Sequence, residues 1–281
     1  MNKTSISHST EVADSLSDAT ASAIVNAPDP KRADIIKAAQ AADSLPSALA
    51  PSGLDGAQIA HAEIVAQRSP FQRFLDGIAF LFSALLSPYL VIPFGTVGIV
   101  YVQSSSRRQF LLWTFVSVLF STIVPALYVV LQIWRGKITD VHVMEREQRS
   151  GPFVVAVISS ALGALVLHMM GAPRVVWGIG LVLLVNGVVL LWITTWWKIS
   201  MHVAVLSSVV VACAVMIPAL NFWSFVWLIP ALMWARWIRG RHTVWQGLGG
   251  CFISCALTVA AFSSVGMWPL IGRAWARAVG F

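Results

Sequence analysis

From residue 71 to residue 281 the chain alternates between long apolar runs and short polar breaks. A helix needs about 20 apolar residues to cross the hydrocarbon core of a bilayer. Seven runs are candidates, near 77–102, 110–134, 152–170, 175–197, 202–219, 222–238 and 246–268. Pro88 and Pro93 fall inside the first, which predicts a kink there. The fifth and sixth are short, with a tight turn at "IPALN" between them. Trp134, Trp196, Trp197, Trp237, Trp245 and Trp268 cluster at the predicted ends, where an aromatic belt would sit. The fold expected is an all-α, polytopic membrane helical bundle of about six to seven transmembrane helices, without an internal repeat.

Residues 1–70 have a different character. They are polar and rich in Ala, Ser and Asp, with five Lys or Arg against eight Asp or Glu. "KRADIIKAAQAAD" and "GAQIAHAEIVAQR" could form short helices, but neither has a long apolar face to bury. The segment is expected to be a disordered tail, and 71–281 the membrane domain. "MNKTSISHST" contains no apolar stretch of the kind a cleavable signal peptide needs, so none is expected.

Composition sharpens this picture. The chain is 57% hydrophobic and 11% charged, too apolar for an ordinary soluble domain. Its net charge of +7 comes from the membrane domain, where Asp76, Asp140, Glu145 and Glu147 are the only acids. The cations sit in short loops between apolar runs. That placement suits lipid headgroups or an anionic ligand, not nucleic acid. The expected location is a multi-pass protein of the cell (plasma) membrane. Cys213, Cys251 and Cys255 lie in apolar runs without metal-ligand spacing and read as small buried residues.

Three polar islands interrupt the runs: "RGKITDVHVMEREQRSGP" (135–152), "KISMH" (198–202) and "RWIRGRHTVWQ" (236–246). Each follows an even number of predicted spans, so all three emerge on one side of the membrane. Together they hold several cations and two prominent histidines, His202 and His242, and few acids. Guanidinium groups grip phosphate oxygens in pairs, and histidine serves as nucleophile, acid or base near neutral pH. His202 is expected at a helix start, where backbone N–H groups favour an anion. The pattern points to phosphoryl transfer at the membrane surface without a metal or other cofactor. Arg135, Lys137, Arg239 and Arg241 read as headgroup anchors, and His168 as a packing residue on the opposite face.

The islands resemble the motifs of the type-two phosphatidic acid phosphatase superfamily, the lipid phosphate phosphatases related to vanadium haloperoxidases. In "KISMH", Ser200 and His202 match the Ser and His of a Pro-Ser-Gly-His motif, with Ile199 and Met201 at the other two positions. In "ARWIRGRHTVWQ", Arg236 and His242 keep the spacing of Ser-Arg, five residues, His, three residues, Asp; Ala235 replaces the Ser and Gln246 the Asp. "EREQRSGP" offers Arg146, Arg149 and Pro152 for a basic motif ending in Arg-Pro, separated here from the second motif by two apolar runs. The resemblance covers about 75–270. It implies that His242 attacks phosphorus, that His202 protonates the leaving oxygen and then activates water, and that Gln246 orients His242. Arg236, Arg149, Arg146, Lys198 and Ser200 would hold the phosphate. The implied partners are a lipid phosphate substrate and the bilayer; the substrate would be a phosphatidyl or isoprenoid (di)phosphate.

Gln246 leaves alternatives open. The amide suffices as an orienter, or Asp140, Glu145 or Glu147 substitutes, or the protein is a weak or inactive member that binds phospholipid headgroups or acts as a scaffold. An Asp-rich magnesium site of the intramembrane prenyltransferase kind needs two acidic loops, and only one is present. A transporter would be expected to show a repeat and charges at span midpoints.

Overall fold

Why the apolar runs become helices, and where they stop, is visible in the local chemistry. The computed structural model describes residues 69–137, 150–220 and 222–280. The chain divides at Arg73/Phe74, and the membrane part is the second unit, Phe74–Phe281. Among the described residues there are helices and turns but no strand.

The first run breaks in two. Helix α1 (Pro70–Leu85) stops just before Ser87-Pro88, and α2 (Pro88–Gln103) starts with Pro88 in its first turn, bent by 48° from α1. Proline is tolerated at a helix start, where its missing N–H costs nothing. The expected kink is therefore a break at Pro88, while Pro93 stays inside α2.

The second run is one long crossing, Arg107–Trp134, interrupted by a π turn. It consists of α3 (Arg107–Val118), the turn Leu119–Ile123, and α4 (Val124–Trp134). Pro125 has no N–H to give to the preceding turn, and the Val124 amide reaches back to the Leu119 carbonyl. This frees the Phe120 carbonyl, which accepts the Ser159 hydroxyl from the neighbouring helix.

Next come α5 (Ser150–Met169) and α6 (Arg174–Thr194), both long and apolar enough to cross. Two shorter apolar helices follow, α7 (Met201–Met216) and α8 (Leu228–Ile238). The chain finishes with α9 (Val244–Ser264), also of crossing length, and α10 (Trp268–Val279). Among the described residues four helices are thus long and apolar enough to cross a membrane, or five when the bent α1–α2 pair is one span. The expected fifth and sixth spans are the short ones. At 1.5 Å per residue, α7 is about 24 Å long and α8 about 16 Å.

Helix α7 is the buried axis. Val203, Ala204, Leu206, Ser207, Ser208 and Val210 are all buried, so it is enclosed on every side. The outer helices instead expose large apolar side chains, including Phe80, Phe115, Leu127, Ile158 and Phe252, each more than half exposed. Such a surface is stable against lipid tails and costly against water. Trp134, Trp196, Trp237, Trp245 and Trp268 are exposed at helix ends, as an interfacial belt requires. The chain is an integral membrane protein by these features.

Helix α9 meets the α6–α7 turn at Gly250. A Cβ there would lie 2.9 Å from the Ser200 carbonyl oxygen. Only glycine lets the two backbones come this close. The same contact brings the Ser200 amide onto the Gln246 carbonyl at 3.2 Å. The second and third polar islands are joined there.

Candidate active site

Helix ends meet around one cavity of about 230 Å³: the starts of α2, α5 and α7, the ends of α6 and α8, and the turn just before α9. Lys198, His202, Arg236, Arg241 and His242 line it together. Below them the wall is mostly apolar, with Ile92, Val129, Phe153, Leu183 and Leu190. Ser121 and Thr122 of the π turn face it too, which is where such turns are often found in functional proteins. No carboxylate is among the described residues of its wall.

The Arg236–His242 spacing is produced by a helix ending and restarting. Arg236 sits in the last turn of α8, and Gly240 adopts a left-handed conformation (φ +63°). The Gly240 amide bonds to the Trp237 carbonyl, and the Arg241 amide to the Arg236 carbonyl. This is the Schellman closure, which favours glycine at that position. The His242 amide also reaches the Arg236 carbonyl, at 3.4 Å. Thr243 then caps α9. The five intervening residues are therefore the length of one such turn, and it delivers a buried guanidinium (5% exposed) and an imidazole to one wall.

Gln246 has two tasks. Its side chain completes a capping box with Thr243: the Thr243 amide donates to Gln246 Oε1 at 3.1 Å, and the Gln246 amide donates to Thr243 Oγ1 at 3.3 Å. The same Oε1 lies 3.2 Å from His242 Nδ1. A backbone N–H can only donate, so the atom it meets is the amide oxygen. His242 Nδ1 must then carry its hydrogen, and Nε2 of the neutral ring keeps the lone pair. If this site hydrolyses a lipid phosphate, Gln246→Ala, which removes this constraint, should lower turnover on the order of 10- to 100-fold. Gln246→Glu retains both acceptor contacts and adds a charge, so its turnover should equal or exceed that of the parent. Steady-state rates of the two variants on one lipid phosphate check both.

His202 occupies the first turn of α7, is 7% exposed and lines the cavity. Lys198 lies just outside that helix, on an exposed turn at the rim. Ser200, expected to hold phosphate, does not line the cavity. It is fully buried beneath Gly250, and its hydroxyl makes no hydrogen bond among the described residues. The correction has a simple cause: the close approach of α9 covers the residue before α7, while His202 turns to the cavity. Arg241, read from sequence as a headgroup anchor, lines the cavity instead. Arg146 and Arg149, with Asp140, His142, Glu145 and Glu147, lie outside the described residues, as does most of the 1–70 segment. The chain resumes at Ser150, and Pro152 and Phe153 line the cavity.

Burial first, and then the charge of Arg241, pushes the Arg239 guanidinium below its ordinary value, with Asp76 pulling against both. Arg239 also lies over the Phe80 ring at 5.0 Å. Among the described residues no cluster of three or more His, Cys, Asp or Glu could hold a metal ion.

No family model, no curated protein and no solved structure matches this chain.

Proposed function

We propose that this protein is an integral-membrane, metal-independent phosphatase of a lipid phosphate or isoprenoid (di)phosphate, working through a phosphohistidine. One observation carries the reading: three cations and two histidines line a single cavity that continues into an apolar floor. A phosphate at the rim and a hydrocarbon chain below would match both halves. The likeness of the motifs to the type-two phosphatidic acid phosphatase superfamily supports the same chemistry. In this reading the bent α1–α2 pair is one span, and α7 and α8 also cross, giving seven. In this reading the site faces one interface of the cell membrane, and Arg146 and Arg149, outside the described residues, also bind phosphate.

In the first step His242 Nε2 attacks phosphorus. The P–O bond to the lipid breaks, and His202, protonated, gives its proton to the leaving oxygen. Lys198, Arg236 and Arg241 balance the charge that builds on the phosphoryl oxygens. In the second step neutral His202 takes a proton from water as the water oxygen bonds to phosphorus. The P–N bond breaks, releasing phosphate and restoring both histidines. The Gln246 oxygen holds the His242 ring throughout by its contact with Nδ1.

Gln246 also motivates a second reading. A carboxylate stabilises the positive charge of a phosphohistidine and an amide does so less, so a headgroup-binding protein without turnover is the competing account. Purified protein in detergent, given a panel of lipid phosphates and diphosphates in excess EDTA, separates the two. Phosphate release is expected; folded protein that releases none from any lipid favours the binding account.

A further inference from the structure

The floor of the cavity holds one polar group whose hydrogen-bonding capacity is half used. Asn186 of α6 lines the cavity and is 6% exposed. Its Nδ2 donates to the Val182 carbonyl at 3.0 Å and to Thr258 Oγ1 at 3.5 Å. The carbonyl partner fixes which end of the amide is nitrogen, because a carbonyl can only accept. Both Nδ2 hydrogens are then engaged. The Thr258 hydroxyl gives its own hydrogen to the Ser254 carbonyl at 2.7 Å, so the 2.6 Å contact from Ser208 is a donation by Ser208. The donors of Asn186, Thr258 and Ser208 are all spent inside this small network. Asn186 Oδ1 remains, buried and without a hydrogen-bond donor.

A buried acceptor left this way inside a membrane protein is costly, and it is met when a ligand brings a donor. The depth suits the same ligand that presents phosphate to His202. Ser208, at the level of this network, is six residues along α7 from His202, a rise of about 9 Å. With contacts of about 3 Å at each end, the two recognised groups of the ligand are a few ångströms apart.

We infer that Asn186 Oδ1 is a specificity site that accepts a hydrogen bond from a hydroxyl of the lipid, placed a few bonds beyond its phosphate ester. The inference rests on the phosphatase reading and narrows its substrate. A lipid phosphate with a free hydroxyl near the ester is preferred over one whose chain is wholly hydrocarbon there, as in an isoprenoid phosphate.

The test is a pair of substrates that differ in one group: lysophosphatidate, and its deoxy analogue lacking the glycerol hydroxyl. Both are presented in mixed detergent micelles with EDTA, and kcat/KM is measured on each. The parent protein should prefer the hydroxyl-bearing lipid by at least about tenfold. Asn186→Leu, and separately Asn186→Ala, should bring the ratio close to one; the ratio within one preparation is independent of how much protein is folded. Equal rates on both lipids in the parent, or a preference that survives both substitutions, overturns the Asn186 site while the phosphatase reading stands. In that case water satisfies the oxygen. No turnover of either lipid, or of any other lipid phosphate, overturns the phosphatase reading and the specificity site with it.

Discussion

His242→Ala is expected to lower lipid phosphate hydrolysis by about 10⁴-fold, to the level of residual electrostatic catalysis. The substitution removes the nucleophile but leaves its surroundings. His242 lies between the Schellman turn that ends α8 and the Thr243 cap of α9, and both are closed by backbone and Gln246 contacts that an alanine preserves. Binding should therefore survive: KM should change little while kcat collapses. A raised KM with kcat intact would instead make His242 a binding residue. Phosphate release under saturating and limiting lipid separates the two.

Arg236→Lys should be nearly as damaging, with a loss of about 10²- to 10³-fold. The residue is 5% exposed and lines the cavity from the last turn of α8. In the proposed mechanism this guanidinium presents a planar fork to two phosphoryl oxygens. A lysine keeps the charge but is a single point on a flexible stem. Charge alone would predict a mild effect, so this conservative change isolates the fork. The Schellman closure uses only the Arg236 carbonyl, which lysine also has, so the turn is retained. Far-ultraviolet circular dichroism and kcat/KM on the same preparation decide whether chemistry or folding was lost.

The parts of the site legible in the sequence are those written in chain-local spacing. Arg236 and His242 are joined by one helix reversal of fixed length, so their spacing along the chain brings both to one cavity wall. Lys198 and His202 were legible because titratable groups interrupt an otherwise apolar run, and the helix start at Met201 follows. Ser200 does not line the cavity, and spacing does not say which side of a helix start is covered; that depends on Gly250, fifty residues away. Arg241 looked like any interfacial cation, since only the turn at Gly240 aims the chain toward the cavity. Asn186, a lone amide in an apolar run, was not singled out from the sequence. Its partner Thr258 belongs to a distant helix, so the unused oxygen has no sequence signature. The all-helical class followed directly from run length. The lengths of α7 and α8 did not, because hydropathy marks an apolar stretch and not where packing ends the helix.

The most direct test of His242 as the nucleophile is to trap the intermediate. Protein is mixed with a lipid phosphate in EDTA, quenched in base within one turnover, and analysed by peptide mass spectrometry. The account predicts one phosphoryl group on the peptide carrying His242, stable to base and lost in acid, and absent from His242→Ala. Turnover without any phosphorylated histidine, or with the phosphoryl group on another residue, would contradict it.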